Sequence, residues 1–227
     1  TTYEFGIKVP YIVRWPGMAK PGLVSEALVS TIDIVPTSMS AAGLEVPSYL
    51  LGKSLVPVLQ GEDGNWRSTL VAEWQTHGPG FQQPQRSIRD GRYKLILNMR
   101  PGVGKPGLGI DGCKVAQALK LSRYDGTEVK RVFALLNKAP EIELYDLQED
   151  PIEYHNLADD PGYREIKEDL IRQLQSYRER TGDPFLDPAF FESVLQYTEA
   201  NAKSGKFDMT PFQRNFMDIQ DELLFIV

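Results

Sequence analysis

The stretch from Ile142 to Leu157 constrains the fold more than any other part of the chain. Ile142 to Leu147 alternates side-chain character in the manner of a half-buried β-strand. Proline fixes its own φ and drives the preceding residue out of the helical region, so Glu149-Asp150-Pro151 predicts a turn after that strand. We therefore expect a strand, an acidic turn and the pair Asn156-Leu157 in this order. Alone, the pattern is also typical of a strand end in an arbitrary α/β protein.

The start of the chain carries a second pattern of this kind. Tyr3-Glu4-Phe5-Gly6 precedes an apolar run from Ile7 to Trp15 that stops at Pro16-Gly17. β-Branched residues favour strands, and Pro-Gly favours a turn. Residues 1–24 are therefore predicted to form a strand and a turn.

The next segment, Ser25 to Gly43, predicts a helix with recognisable ends. Ser30 or Thr31 can cap it, and Pro36 lies near its first turns. Gly43 can adopt the left-handed conformation that stops a helix. A second helical segment is expected after Pro47 and Gly52, so residues 25–60 contain two helices.

Further along, Ser87 to Ile96 predicts a hairpin, because Asp90-Gly91 is a strong two-residue turn signal. Five segments, at 3–17, 25–43, 52–59, 87–96 and 142–157, follow one another along the chain. Together they resemble the C-terminal half of the sulfatases. That family is the formylglycine-dependent type I group of the alkaline phosphatase superfamily. The His-containing loop after Trp74 and the run Lys94 to Asn98 resemble its N-sulfoglucosamine (heparan) sulfohydrolase branch. Gly78-Pro79-Gly80 departs from that branch, which leaves the substrate open.

The resemblance also implies what this chain lacks. Sulfatases carry their nucleophile in a Cys/Ser-x-Pro-x-Arg motif of the larger N-terminal part, and the one cysteine, Cys113, is followed by Lys-Val-Ala-Gln. We therefore expect no catalytic residue and no metal ligand in this chain. Calcium is expected in the intact enzyme, bound by the N-terminal part, and the chain alone is expected to be inactive.

Composition excludes some partners. The 227 residues carry a net charge of -6, spread without long runs, and nucleic-acid binding calls for a basic patch instead. No apolar run approaches the roughly 20 residues needed to span a bilayer. The expected partners are therefore the N-terminal catalytic part of the same sulfatase and a sulfated glycan. The sequence does not decide whether the chain forms a homo-oligomer. The resemblance limits the compartment to periplasmic, secreted or lysosomal.

The predicted fold class is α+β: a small antiparallel sheet of about four strands, packed by a long C-terminal helix, within a larger α/β sulfatase fold. Residues 1–60 are interpreted as the tail end of the catalytic α/β domain. Residues 61–182 are interpreted as the antiparallel-sheet subdomain, with an insertion at 100–141 and a closing helix at 161–181. Asp160-Pro161 predicts the start of this helix, and the spacing of Ile166, Leu170, Leu174 and Tyr177 predicts one apolar stripe that packs on the sheet. Residues 183–227 form a C-terminal extension. The insertion and the extension either pack as structural additions or shape a cleft or subunit contact.

Two side chains are the candidate substrate contacts. His77 lies in the loop after a predicted sheet strand, where imidazole can donate a hydrogen bond to a sugar or its sulfate. Arg86 can pair with a sulfate or carboxylate through its planar fork. The alternatives are an ordinary loop histidine and a structural salt bridge. His155 is interpreted as a capping or packing residue.

The resulting hypothesis is the C-terminal portion of a sulfatase that hydrolyses sulfate esters or sulfamates of a glycan, with heparan-type N-sulfoglucosamine as one candidate. Two alternatives remain. One is a non-catalytic carbohydrate-binding or interaction module derived from a sulfatase. The other is part of a related phosphatase or phosphonate hydrolase, which would keep the same scaffold.

Overall fold

The computed structural model describes residues 1–76, 82–103 and 114–204. Four strands form its sheet, namely β1 (Leu70–Thr76), β2 (Gln82–Arg89), β3 (Tyr93–Asn98) and β4 (Ile142–Asp146). Seven α-helices accompany them in the described ranges: α1 (Glu4–Ile7), α2 (Ile34–Ala41), α3 (Val56–Gln60), α4 (Lys114–Leu119), α5 (Glu128–Asn137), α6 (Arg164–Arg180) and α7 (Pro188–Ser204). The predicted α+β class, with about four strands and a long helix, is confirmed.

The sheet has the strand order β1-β2-β3-β4, and the pairs β2–β3 and β3–β4 are antiparallel. The predicted turn joins β2 to β3: Asp90 Oδ1 accepts the backbone N–H groups of Arg92 at 2.7 Å and Tyr93 at 2.6 Å. Opposed residues of neighbouring strands share a face, so the register divides the sheet into two faces. Ile88, Leu95 and Leu144 are aligned on one of them.

This apolar face carries the core under α6. Leu170 and Leu174, one helical turn apart, pack against Leu95 and Leu144, and each of the four side chains is at most 2% exposed. The helix starts as the sequence predicts: the side chain of Asp160 accepts Gly162 N–H at 2.8 Å, and Pro161 opens a 3-10 turn that leads into α6.

The Asn-Leu pair closes the outer side of β4. Asn156 Oδ1 accepts Leu144 N–H at 2.9 Å and Asn156 Nδ2 donates to Ile142 O at 3.3 Å, while Leu157 N–H donates to Leu144 O at 2.8 Å. An edge strand exposes unpaired backbone groups. Residues 156–157 form hydrogen bonds with part of the backbone N–H and C=O groups of this edge. The segment at 142–157 therefore has a structural role.

Residues 30–67 are held together by hydrogen bonds to Asp33, whose side chain is fully buried. Its carboxylate accepts two hydrogen bonds from Arg67, at 2.5 and 2.7 Å, and the backbone N–H groups of Ser30 and Lys53, each at 2.8 Å. Gly52 lies so close to the backbone of Ile32 that an added Cβ would come within 2.0 Å of its carbonyl oxygen. Gly43 has a φ of 71° after α2, so the predicted helix stop is confirmed.

The predicted strand from Ile7 to Trp15 is wrong for this chain by itself. Residues 4–7 form the short helix α1, and residues 8–15 join no sheet in the described part of the chain. The physical reason is that a strand needs a partner ladder, and among the described strands none lies beside this run. No described helix is both long and apolar enough to cross a membrane.

The chain divides into two compact units. The first comprises residues 1–74, 85–101 and 140–177, with the sheet core and the Asp33 segment. The second comprises residues 75–84, 102–139 and 178–227, whose described helices include α4, α5 and α7. In it Arg178 Nε donates to Asp183 Oδ2 at 2.7 Å, and both residues are buried. The domain boundaries at 60 and 182 stay predictions.

Candidate functional site

Hydrogen bonds to Asp146 stabilise the turn after β4, and this turn places Glu153 in a buried position. Asp146 Oδ1 accepts the N–H groups of Gln148 at 3.1 Å and Glu149 at 3.4 Å, and Arg92 donates to its carboxylate at 2.7 to 3.1 Å. Hydrogen bonding from Arg92 lowers the pKa of Asp146. The turn ends at Glu153, which has a φ of 58° and is buried. A non-glycine residue in this left-handed region is uncommon and is held by its surroundings.

Glu153 meets a lysine and the start of the chain on the face of the sheet opposite the apolar core. Its Oε1 lies 2.8 Å from Lys94 Nζ, and its Oε2 accepts the backbone N–H of Glu4 at 2.6 Å. Lys94 also donates to Glu4 Oε1 at 3.0 Å, and Arg89 donates to Glu4 Oε2 at 2.8 Å. The Lys94 side chain is fully buried, which requires such partners.

A second carboxylate, Glu143, is buried beside this group. It accepts hydrogen bonds from Tyr3 Oη at 2.8 and 2.9 Å, from Asn98 Nδ2 at 2.6 Å, and from Tyr145 Oη. Gln85 Nε2 donates to Asn98 Oδ1 at 2.7 Å and continues the network. Together these residues form the polar-face cluster: Tyr3, Glu4, Gln85, Arg89, Lys94, Asn98, Glu143, Tyr145 and Glu153.

Electrostatics fix the protonation of the two tyrosines in this cluster. Burial, followed by the adjacent Glu143 carboxylate, raises the pKa of Tyr3 and of Tyr145. Both hydroxyls therefore stay protonated at physiological pH and donate to Glu143. Burial raises the pKa of Glu153, although Lys94 and the Glu4 N–H act in the opposite direction.

The two sequence-predicted substrate contacts have different outcomes. Arg86 lies in β2 on the apolar face, directly opposite Leu97 of β3, and its side chain is fully buried. Its Nε is 3.7 Å from Glu73 Oε2, and one Nη donates to Gln85 O at 3.0 Å. These contacts match the salt-bridge alternative. His77 lies outside the described residues, and the role of both residues in substrate binding stays a prediction.

Two further sequence predictions concern histidine and metals. His155 has a 63% exposed side chain, and its backbone N–H donates to Asp150 Oδ2 at 2.7 Å, so this residue contributes to the turn. Cys113 lies outside the described residues. Within residues 1–76, 82–103 and 114–204, no group of three or more His, Cys, Asp or Glu side chains could hold a metal ion.

Sequence reasoning missed the polar-face cluster, because its members are scattered over 150 residues. Alternation within β3 and β4 indicates one apolar face, but it makes Lys94 and Glu143 look like ordinary solvent-facing charges. The tetrapeptide Tyr3 to Gly6 is the available signal. It stands out as a motif, and its second residue proves to be the common partner of Lys94 and Arg89.

Comparisons with known proteins define the class to which this arrangement belongs. Residues 1–101 match the family model described as N-sulphoglucosamine sulphohydrolase, C-terminal. An ulvan-active sulfatase of Formosa agariphila is 34% identical to this chain, over 81% of the chain and 35% of the relative. Human N-sulphoglucosamine sulphohydrolase is 30% identical, over 76% of the chain and 39% of the relative. The solved structure of a 2-O GAG sulfatase has a TM-score of 0.54 and 26% identity, covering 77% of the chain and 32% of its own.

The fold and the sequence matches thus agree on one class, the sulfatase scaffold. The chain belongs to the sulfatase family, in which it corresponds to the C-terminal part. It spans little more than a third of the length of these two curated relatives.

Proposed function

We propose that this chain is the C-terminal portion of an enzyme that hydrolyses sulfate esters or sulfamates of a glycan. The observation that carries the proposal is the similarity over about four fifths of the chain to a sulfatase named for its activity on ulvan. The similarity to an N-sulphoglucosamine sulphohydrolase supports a glycan as well. Because these relatives differ in their named substrates, the proposal covers the class of sulfated glycans.

The distribution of exposed apolar side chains supports a role as one part of a larger enzyme. Thirteen of the 18 large apolar side chains that are exposed in the described ranges belong to residues 5–51. Phe5 is 81% exposed, Ile12 92% and Val24 85%. Concentrated apolar exposure marks an interaction surface. Its proposed occupant is the N-terminal catalytic part, since the relatives extend well beyond the matched region.

The proposed division of labour places the reacting groups outside the described part of this chain. Calcium and the modified nucleophile would be held by the N-terminal part, and the sheet subdomain would close one wall of the cleft. We propose a secreted, periplasmic or lysosomal location, in keeping with the family resemblance.

Assays of the full-length protein and of the 227-residue chain test this function. We expect the full-length protein with calcium to release sulfate from a sulfated glycosaminoglycan oligosaccharide or an aryl sulfate, and the chain alone to release none. Free sulfate is measured by ion chromatography. A full-length protein that cleaves a phosphonate monoester and no sulfate ester would favour the phosphonate hydrolase alternative. Glycan binding by the chain without hydrolysis by either protein would favour the binding module.

The predicted substrate contacts are tested in the full-length protein. If the loop before β2 walls the cleft, His77→Ala should lower kcat/KM for the glycan by about 2- to 150-fold, because a hydrogen bond of roughly 0.5 to 3 kcal/mol is lost. Turnover of a small aryl sulfate should stay nearly normal. Arg86→Ala should show the same selectivity if Arg86 binds substrate.

Two controls separate binding from folding. His155→Ala, a change at an exposed histidine, should affect neither substrate. Equal losses on both substrates in Arg86→Ala would assign this buried residue a structural role, in keeping with its contacts to Glu73 and Gln85. Unchanged glycan turnover in His77→Ala would remove His77 from the substrate site.

A further inference from the structure

A tight turn at residues 3–6 exposes one large apolar side chain, that of Phe5. Gly6 N–H donates to Tyr3 O at 2.7 Å, and a Cβ added at Gly6 would lie 2.7 Å from Thr1 O, so the chain folds back closely on itself here. Phe5 is nevertheless 81% exposed. The turn therefore directs this aromatic ring away from the described part of the chain.

The polar-face cluster holds the residue immediately before Phe5. Glu4 N–H donates to Glu153 Oε2 at 2.6 Å, and the Glu4 carboxylate accepts from Lys94 at 3.0 Å and from Arg89 at 2.8 Å. Glu4 itself is only 7% exposed. A side chain on a backbone that is already fixed loses less conformational freedom when it binds. Phe5 is therefore pre-organised for a contact.

Phe5 begins an exposed stretch that is both apolar and basic. Val9 is 64% exposed and Ile12 92%. Residues 5–25 contain no Asp or Glu, although the whole chain has a net charge of -6. Three exposed cations lie in this stretch, namely Lys8, Arg14 and Lys20. Its partner should therefore offer apolar surface together with negative charge.

Charge and connectivity favour one partner over two others. A second copy of this chain, docked through the same stretch about a two-fold axis, would bring like charges together. A sulfated glycan would match the cations, but exposed aliphatic side chains such as Ile12 cannot donate hydrogen bonds to it. The N-terminal catalytic part is joined to residues 1–4 through the backbone of the full-length protein, which gives it a high effective concentration.

We propose that Phe5 is the anchor of the contact with the N-terminal catalytic part, where it fills an apolar pocket with carboxylates on its rim. Aromatic anchors that fill pockets contribute a large share of the energy of such contacts. The identity of the partner rests on the proposed function, since that function assigns the chain to a larger sulfatase. The role of Phe5 does not depend on which glycan is hydrolysed.

Limited proteolysis of the full-length protein tests the proposal. If Phe5 holds the contact closed, trypsin reaches the bond between Arg14 and Trp15 only when the contact opens. Phe5→Ser should therefore accelerate this cleavage by about 10- to 100-fold, because proteolysis follows the population of the open form. Mass spectrometry quantifies the fragment that starts at Trp15. Unchanged cleavage in Phe5→Ser overturns the proposal.

Two control variants separate the contact from the fold. Leu121→Ser makes a similar change at an exposed leucine outside residues 5–51 and should leave the cleavage rate unchanged. Phe5→Leu keeps an apolar side chain and should stay within about threefold of the unmodified protein. Hydrogen exchange of residues 164–177 in α6 should be the same in all variants. Loss of this protection in Phe5→Ser would assign Phe5 to the core of the chain and overturn the proposal.

The same proteins distinguish the other partners and the proposed function itself. A dimer of the unmodified protein that Phe5→Ser dissociates, measured by light scattering, would assign Phe5 to a subunit contact. Protection of Arg14 that the unmodified protein gains only with a sulfated glycosaminoglycan oligosaccharide would assign the stretch to the glycan. Either result overturns the proposal. Cleavage is measured without substrate, so a full-length protein that releases no sulfate would overturn the proposed function and leave the test of Phe5 valid.

Discussion

Gly52→Ala is expected to destabilise the Asp33 segment by about 3 kcal/mol or more. The added Cβ would lie 2.0 Å from Ile32 O and 2.6 Å from Ile32 C, so it would overlap the backbone itself. Side-chain rearrangement cannot relieve this overlap. Moving the backbone would break the hydrogen bonds from Ser30 and Lys53 to Asp33. Urea denaturation followed by tryptophan fluorescence, in which Trp66 is a local probe, measures the loss.

Gly64→Ala is the matched control. Gly64 is exposed, has no positive φ, and an added Cβ would meet no atom within 4 Å. Its replacement should change the free energy of unfolding by no more than about 0.5 kcal/mol. Equal stabilities of the two variants would show that the backbone at residues 32 and 52 is not packed as closely as described.

The sheet and its covering helix could be predicted from sequence because their signals are local. Asp90-Gly91 specifies the β2–β3 turn, and both Asp90 hydrogen bonds are made within three residues. Asp160-Pro161 specifies the start of the long helix in the same way. Four-residue spacing of Leu170 and Leu174 correctly indicated the face that packs on the sheet.

The run from Ile7 to Trp15 shows where local signals fail. Its β-branched composition favours a strand, but strand formation is decided by a partner ladder that no residue in the run specifies. The described chain offers no such partner, and Ile12 is 92% exposed. The exposure of this run supports the proposal that the N-terminal catalytic part covers it.

The polar-face cluster could not be predicted for a different reason. Its pairings, such as Lys94 with Glu153 or Tyr3 with Glu143, join residues 59 to 140 positions apart, and only the tertiary fold brings them together. From the sequence alone, each residue of the cluster would be assigned as a surface charge or a half-buried aromatic. The position of Glu153 was harder still to predict, because a left-handed φ favours glycine or asparagine at that turn position.

The cluster also explains why Lys94→Met is expected to be the most damaging change on this face of the sheet. The substitution keeps an unbranched stem of similar length but removes the only ammonium that lies between Glu4 and Glu153 in the described structure. Breaking a buried ion pair by removing one partner costs about 3 to 5 kcal/mol, since the remaining charge is left without compensation. Thermal and urea unfolding at pH 7.5 measure the loss, and Lys8→Met, at an exposed lysine, should change stability by less than about 0.5 kcal/mol.

The loss of charge compensation predicts one further result. Adding Glu153→Gln to Lys94→Met should recover part of the stability, because the double variant buries one uncompensated charge fewer. Strictly additive losses in the double variant would mean that Lys94 acts through packing of its aliphatic stem and not through its charge.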